Sequence, residues 1–126
     1  MKKIINFIIF TTIGLFIFTS CKKNQLGGDA SLTGIVMHHN KPISNAKVYI
    51  KFNTTEFPGA DSTIYDSFVQ ADGNGNYSIP FYKGSYYVFA IGRDLAITYP
   101  YLVKGGLSIS VRNREKLTKN IAVTED

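Results

Sequence analysis

Two hydropathy regimes divide the chain. Residues 4–18 are apolar almost throughout, broken only by Asn6, Thr11, Thr12 and Gly14. From residue 31 onward the rule is alternation, punctuated by Gly, Pro, Asn and Asp, and no stretch sustains a helical period. The clearest case is Ala46, Val48, Ile50 and Phe52, set against Lys47, Tyr49, Lys51 and Asn53. A period of two sends the first set to a core and the second away from it. Leu32–His39 reads as an earlier strand, closed by Asn40-Lys41-Pro42. Tyr77, Ile79 and Phe81 alternate, as do Leu107, Ile109 and Val111. Leu117–Thr124 closes the chain with Ile121 and Val123 inward. Tyr86–Ile91 is apolar on both faces, which predicts a central strand. Ser62–Ala71 is strand-like without a clear face, and Ala96–Val103 is expected as a strand that Pro100 confines to an edge or a bulge. Asn53–Asp61, with Pro58-Gly59, is expected as a loop, and Asp72-Gly73-Asn74-Gly75 as a turn. Seven or eight short strands with turn signals between them predict an all-β sandwich.

The apolar run at the start changes the picture. Fifteen residues are short for a bilayer span, which takes about 20. Lys2 and Lys3 precede the run, and small residues follow it. That is the form of a secretory signal peptide. Cys21, the chain's single cysteine, directly follows Phe18-Thr19-Ser20. This junction resembles a bacterial lipobox, with Phe18 where Leu is commoner. The resemblance implies cleavage before Cys21, acylation of its thiol and a membrane partner reached through the acyl chains. Lys22 rather than Asp after the cysteine implies sorting to the outer membrane, with the facing left open. The expected organisation is therefore 1–20 signal peptide, 21–30 acylated cysteine and flexible tether, and 31–126 one β domain.

Charge and cysteine content then exclude several classes. The chain carries +5, and loss of Lys2 and Lys3 with the leader leaves +3 on 106 residues. That is too mild a charge to call for a nucleic-acid partner. One cysteine supports neither an internal disulfide nor a cysteine-rich metal site.

Four segments occur in a family order: Leu32-Thr33-Gly34-Ile35-Val36, Lys41-Pro42-Ile43-Ser44-Asn45-Ala46-Lys47-Val48, Ala71–Ile79 around Asp72-Gly73-Asn74-Gly75-Asn76-Tyr77, and Lys83-Gly84-Ser85-Tyr86-Tyr87-Val88. Residues 31–92 thereby resemble the carboxypeptidase regulatory-like domain. The resemblance implies a prealbumin-like (transthyretin-like) Greek-key β-sandwich of seven or so strands, used as a non-catalytic accessory in exported proteins. Hydrolases of 5-hydroxyisourate share that fold but use several His and a tyrosine-arginine-glycine-serine end. This chain has two His and ends Ala122-Val123-Thr124-Glu125-Asp126.

Candidate chemistry is sparse. His38 and His39 are adjacent, so on a strand they point to opposite faces, and they are expected as surface residues with no metal. Asp72, Asn74 and Asn76 have the spacing of an EF-hand start, but Tyr77 and Lys83 stand where Gly and Glu are required. Glu56, Asp61, Asp66 and Asp94 are scattered, so no carboxylate dyad is expected. No cofactor and no catalytic residue is assigned. Eight tyrosines remain after the leader. Tyr49, Tyr87 and Phe89 are the expected partner-binding patch, since exposed aromatics stack on sugars or anchor protein interfaces. The leading reading is an outer-membrane lipoprotein whose sandwich binds a protein or glycan partner. Two alternatives stand beside it: a pilin-like subunit joined by strand exchange through residues 117–126, and a metal-dependent hydrolase built on His38, His39 and nearby acids.

Overall fold

The computed structural model describes residues 22–125. The expected signal peptide and Cys21 lie outside the described residues. Nine strands run β1 Leu26–His38, β2 Lys41–Pro42, β3 Lys47–Phe52, β4 Ser67–Gln70, β5 Asn76–Phe81, β6 Gly84–Arg93, β7 Leu102–Val111, β8 Lys116–Thr118 and β9 Ile121–Ala122. A single 3-10 turn, Ser62–Ile64, precedes β4. No helix among the described residues is long and apolar enough to cross a membrane.

The strands form two sheets, which makes the molecule a β-sandwich. One sheet is built on β1, which pairs antiparallel with β2 and β5 and parallel with β8 and β9. The other has the order β4-β3-β6-β7 and is antiparallel throughout. The core lies between them. Leu32, Val36, Ile79, Phe81 and Ile121 face it from the first sheet, and Val48, Ile50, Tyr86, Val88 and Val103 from the second, all with no exposed surface. These are the alternating positions of each strand, so the sequence period sets which side chains are buried. As expected, β6 is central, lying between β3 and β7.

Three elements differ from the sequence reading. The stretch 24–30, expected as a flexible tether, is docked. Asn24 donates its backbone N–H to the Lys83 carbonyl at 2.8 Å, and its side chain accepts from the Ser85 N–H at 3.0 Å. Leu26–Ala30 already belongs to β1. The expected strand over Ala96–Val103 is a loop as far as Tyr101, and β7 instead runs from Leu102 straight through Gly105 and Gly106. Those glycines are strand residues because a β-carbon at Gly105 would strike the Ala122 carbonyl and one at Gly106 the Val88 carbonyl. Finally, the one closing strand expected over Leu117–Thr124 is split into β8 and β9, both parallel to β1, with Ile121 and Val123 buried as expected. Ser31–Thr33 pair with Lys116–Thr118, and Val36–Met37 with Ile121–Ala122.

Candidate functional site: an aromatic outer face

The outer face of the second sheet gathers aromatic rings, and register explains how. Tyr49 on β3 sits opposite Phe68 on β4 and opposite Phe89 on β6, forming one cross-strand row. Tyr87, two residues before Phe89, shares that face one row along and sits opposite Lys51. The three residues singled out in the sequence are thus brought together.

The loop between β3 and β4 adds the rest. It folds back over the sheet, pinned by Asp66. That carboxylate accepts the Phe52 N–H at 2.7 Å and lies 3.4 Å from Lys51 Nζ, which also donates to the Ile64 carbonyl at 3.0 Å. Asp61 holds the 3-10 turn by accepting from the Thr63 N–H at 2.9 Å and its hydroxyl at 2.7 Å, and these bonds lower its pKa. The Tyr65 hydroxyl donates to the Gly59 carbonyl at 2.9 Å.

Six rings then run in an unbroken chain: Phe68 to Tyr49 at 5.9 Å between centroids, Tyr49 to Tyr65 at 5.9 Å, Tyr65 to Phe89 at 5.7 Å, Phe89 to Phe57 at 5.4 Å, and Phe57 to Tyr87 at 5.5 Å. These separations lie within the favourable range for aromatic pairs. The Tyr65 and Phe89 rings are stacked, 11° apart, while the others are tilted.

Exposure divides the rings into a buried floor, two open rings and their half-buried neighbours. Phe89 is 4% exposed, buried by Tyr65 and Phe57, so it supports the face without being part of its surface. That corrects its expected place in an open patch, and the cause is the returning loop. Phe68 and Phe57 are 54% and 53% exposed and are the two open rings. Tyr49, Tyr65 and Tyr87 are half-buried. Burial pushes the Tyr65 hydroxyl up to about 12, with the neighbouring Tyr87 adding to the rise, and burial also raises Tyr87. Lys47 Nζ lies 5.5 Å above the Phe68 ring. Phe57 and Phe68 carried no sequence signal of their own. Phe68 alternates like any strand residue, and Phe57 stands beside Pro58-Gly59 in what reads as a loop.

The histidines also depart from expectation. His38 continues the inward row of Leu32 and Val36 and is 2% exposed, not a surface residue. Its Nδ1 lies 2.7 Å from Asp94 Oδ2. Asp94, 4% exposed, also accepts from Lys41 Nζ at 2.8 Å and from the Ala96 N–H at 3.0 Å. The lysine first, then His38 and the backbone N–H, hold its carboxyl well below the usual carboxylate range. His39 lies in the left-handed region, φ 50°, so the chain leaves the strand there. The two rings consequently stand 4.1 Å apart between centroids instead of on opposite faces. The turn at Asp72 is as read: its Oδ1 accepts the N–H groups of Asn74 at 2.8 Å and Asn76 at 3.0 Å.

No protein-family model matches the chain, and no curated protein matches it in sequence. Among solved structures it is similar to a Pseudomonas aeruginosa protein whose carbohydrate binding is itself only proposed. The TM-score is 0.56 at 13% identity, covering 79% of this chain and 91% of that one. It is also similar to a DUF3823 family protein from Parabacteroides merdae, with a TM-score of 0.44 at 12% identity, covering 75% of this chain and 45% of that one. The chain thus spans under half the length of the second protein. The likeness to the first is one of fold, a β-sandwich.

Proposed function

We propose that this chain is an outer-membrane lipoprotein, anchored through acylated Cys21, whose sandwich is a non-catalytic module that binds glycan on its aromatic outer face. The observation that carries the binding reading is the run of six rings in which Phe57 and Phe68 are exposed. Exposed rings on a rigid sheet offer flat apolar faces to the C–H faces of sugars, and half-buried tyrosine hydroxyls and Lys47 beside them supply donors. A P. aeruginosa protein of similar fold, for which carbohydrate binding is proposed, supports the same direction. The carboxypeptidase regulatory-like motifs of residues 31–92 fit an accessory role. So does the scatter of the acids, since Asp61, Asp66, Asp72 and Asp94 are each engaged in holding local structure.

Affinity electrophoresis of the purified chain through gels containing soluble polysaccharides tests the binding. A bound polysaccharide retards the chain without being shortened, and Phe57→Ala with Phe68→Ala abolishes the retardation while the circular dichroism spectrum stays the same. If no polysaccharide retards the chain, or the double variant is retarded equally, the glycan reading fails and a protein partner becomes the occupant to seek. The anchor is tested separately. Mass spectrometry of the mature amino terminus is expected to find acylated Cys21, and Cys21→Ala to leave the leader uncleaved.

A further inference from the structure

Away from the aromatic face, the end of β1 brings together three potential metal-ligating side chains. A ring nitrogen of His38, a ring nitrogen of His39 and a carboxylate oxygen of Glu125 all lie within 4.8 Å of one another. His38 is 2% exposed, and its Nε2 is, among the described residues, the one buried side-chain polar atom with no hydrogen-bond partner. A buried polar atom left unpaired is costly, so it calls for an explanation. The other ring nitrogen supplies one. Nδ1 is engaged by Asp94 at 2.7 Å, and a proton on Nδ1 leaves Nε2 with a free lone pair. A carboxylate behind the imidazole, fixing its tautomer and orientation, is the arrangement that supports metal-ligating histidines. Asp94 is itself held by Lys41 and the Ala96 N–H.

The other two donors are also placed by the fold. The left-handed turn at His39 brings its ring back beside His38. Glu125 is delivered by the C-terminal segment, which is tied down immediately before it. Val123 donates to the Met37 carbonyl at 2.9 Å, and Thr124 exchanges two backbone bonds with Lys104 at 2.8 and 2.9 Å.

We propose that His38 Nε2, His39 and Glu125 bind a divalent transition-metal ion of the Zn²⁺ class, with a water completing the shell. Two imidazoles and a carboxylate suit Zn²⁺ and not Mg²⁺ or Ca²⁺, which take oxygen ligands. Donors at about 2.0–2.2 Å from a tetrahedral ion lie roughly 3.4 Å apart. Reaching that spacing asks only for side-chain rotation of His39 and Glu125, both exposed. The ion would join the end of β1 and its turn to the C-terminal segment, clasping the strand that closes the first sheet.

The test uses the full chain, extracted in detergent, without a polyhistidine tag and stripped by a chelator. Calorimetric titration with ZnCl₂ is expected to show one equivalent bound, with no binding of MgCl₂ or CaCl₂. Zn²⁺ at a hundred times its Kd is expected to raise the Tm by on the order of 10 °C. His39→Ala and Glu125→Gln each weaken Zn²⁺ binding at least tenfold while leaving the metal-free Tm unchanged, since both side chains are exposed. Asp94→Asn weakens it about 10–100-fold through His38. Cys21→Ser leaves it unaltered. The proposal is overturned if the chain takes up no Zn²⁺ at 100-fold molar excess, if the His39 and Glu125 variants bind within twofold of the parent, or if Cys21→Ser abolishes binding.

Discussion

Tyr65 shows how one side chain reports on the face it belongs to. Its ring stacks on Phe89 and its hydroxyl donates to the Gly59 carbonyl, and burial lifts its pKa from the ordinary 10.0 to about 12. A raised folded value means the folded state holds the proton more tightly. Its contribution to stability is then complete below pH 10 and is lost as pH rises towards 12. Urea unfolding at pH 9 and pH 11.5 is expected to show a smaller drop in midpoint for Tyr65→Phe than for the parent chain. Some drop remains, because burial also raises Tyr77, Tyr86 and Tyr87. At the same scale, Tyr49 can be picked out in the sequence as an outward position on a strand with a well-defined face, whereas Tyr87 lies on a strand that is apolar on both faces. Phe89 shares that strand, and its cover cannot be read from the sequence, since Phe57 and Tyr65 come from a loop whose path depends on Asp66 meeting the Phe52 N–H.

At the scale of elements, β1 and β7 set the limits of reading by pattern. β7 contains two glycines in mid-strand, which in sequence look like a break. Their reason is the close passage of other backbones, a fact of packing and not of propensity. Gly34 on β1 has the same character, with the Lys119 carbonyl occupying the space where a β-carbon would stand. Gly34→Ala is therefore expected to destabilise the domain by about 1–3 kcal/mol, the range for overpacking, measured by urea unfolding at neutral pH. Ile79→Ala on β5 acts by the opposite route, leaving a cavity under a fully buried side chain, and is expected to cost about 2–5 kcal/mol in the same assay.

For the whole molecule, the pairing of β1 with β8 and β9 dominates. Ser31 meets Lys116 and Val36 meets Ile121, contacts between the two ends of the domain. Such long-range strand pairing has to close large loops before it is rewarded, so refolding is expected on the millisecond-to-second scale. Stopped-flow refolding from urea checks this, and a microsecond folding phase that recovers the full signal would contradict it. Ile121 on β9 and Val123 just after it are both buried, and both belong to the segment that pairs with β1 near the end of the described residues. Removing residues 121–126 is accordingly expected to abolish cooperative unfolding, because it uncovers β1 and the core beneath it.

The pattern along the chain determined the fold class, the inward residues of β3, β5 and β9, the turn at Asp72 and the central place of β6. These follow from a local rule: successive side chains on a strand point to opposite sides, so hydropathy read along the chain is burial read across the sheet. The tertiary structure alone decided which outward residues become neighbours, because register joins residues from distant strands and a one-residue slip would part Tyr49 from Phe68 and Phe89. It also decided the state of His38. The sequence places that residue at a strand end beside His39, where solvent is the default. Only the assembled sandwich buries the ring, puts Asp94 against one nitrogen, leaves the other without a partner and brings His39 and Glu125 close by.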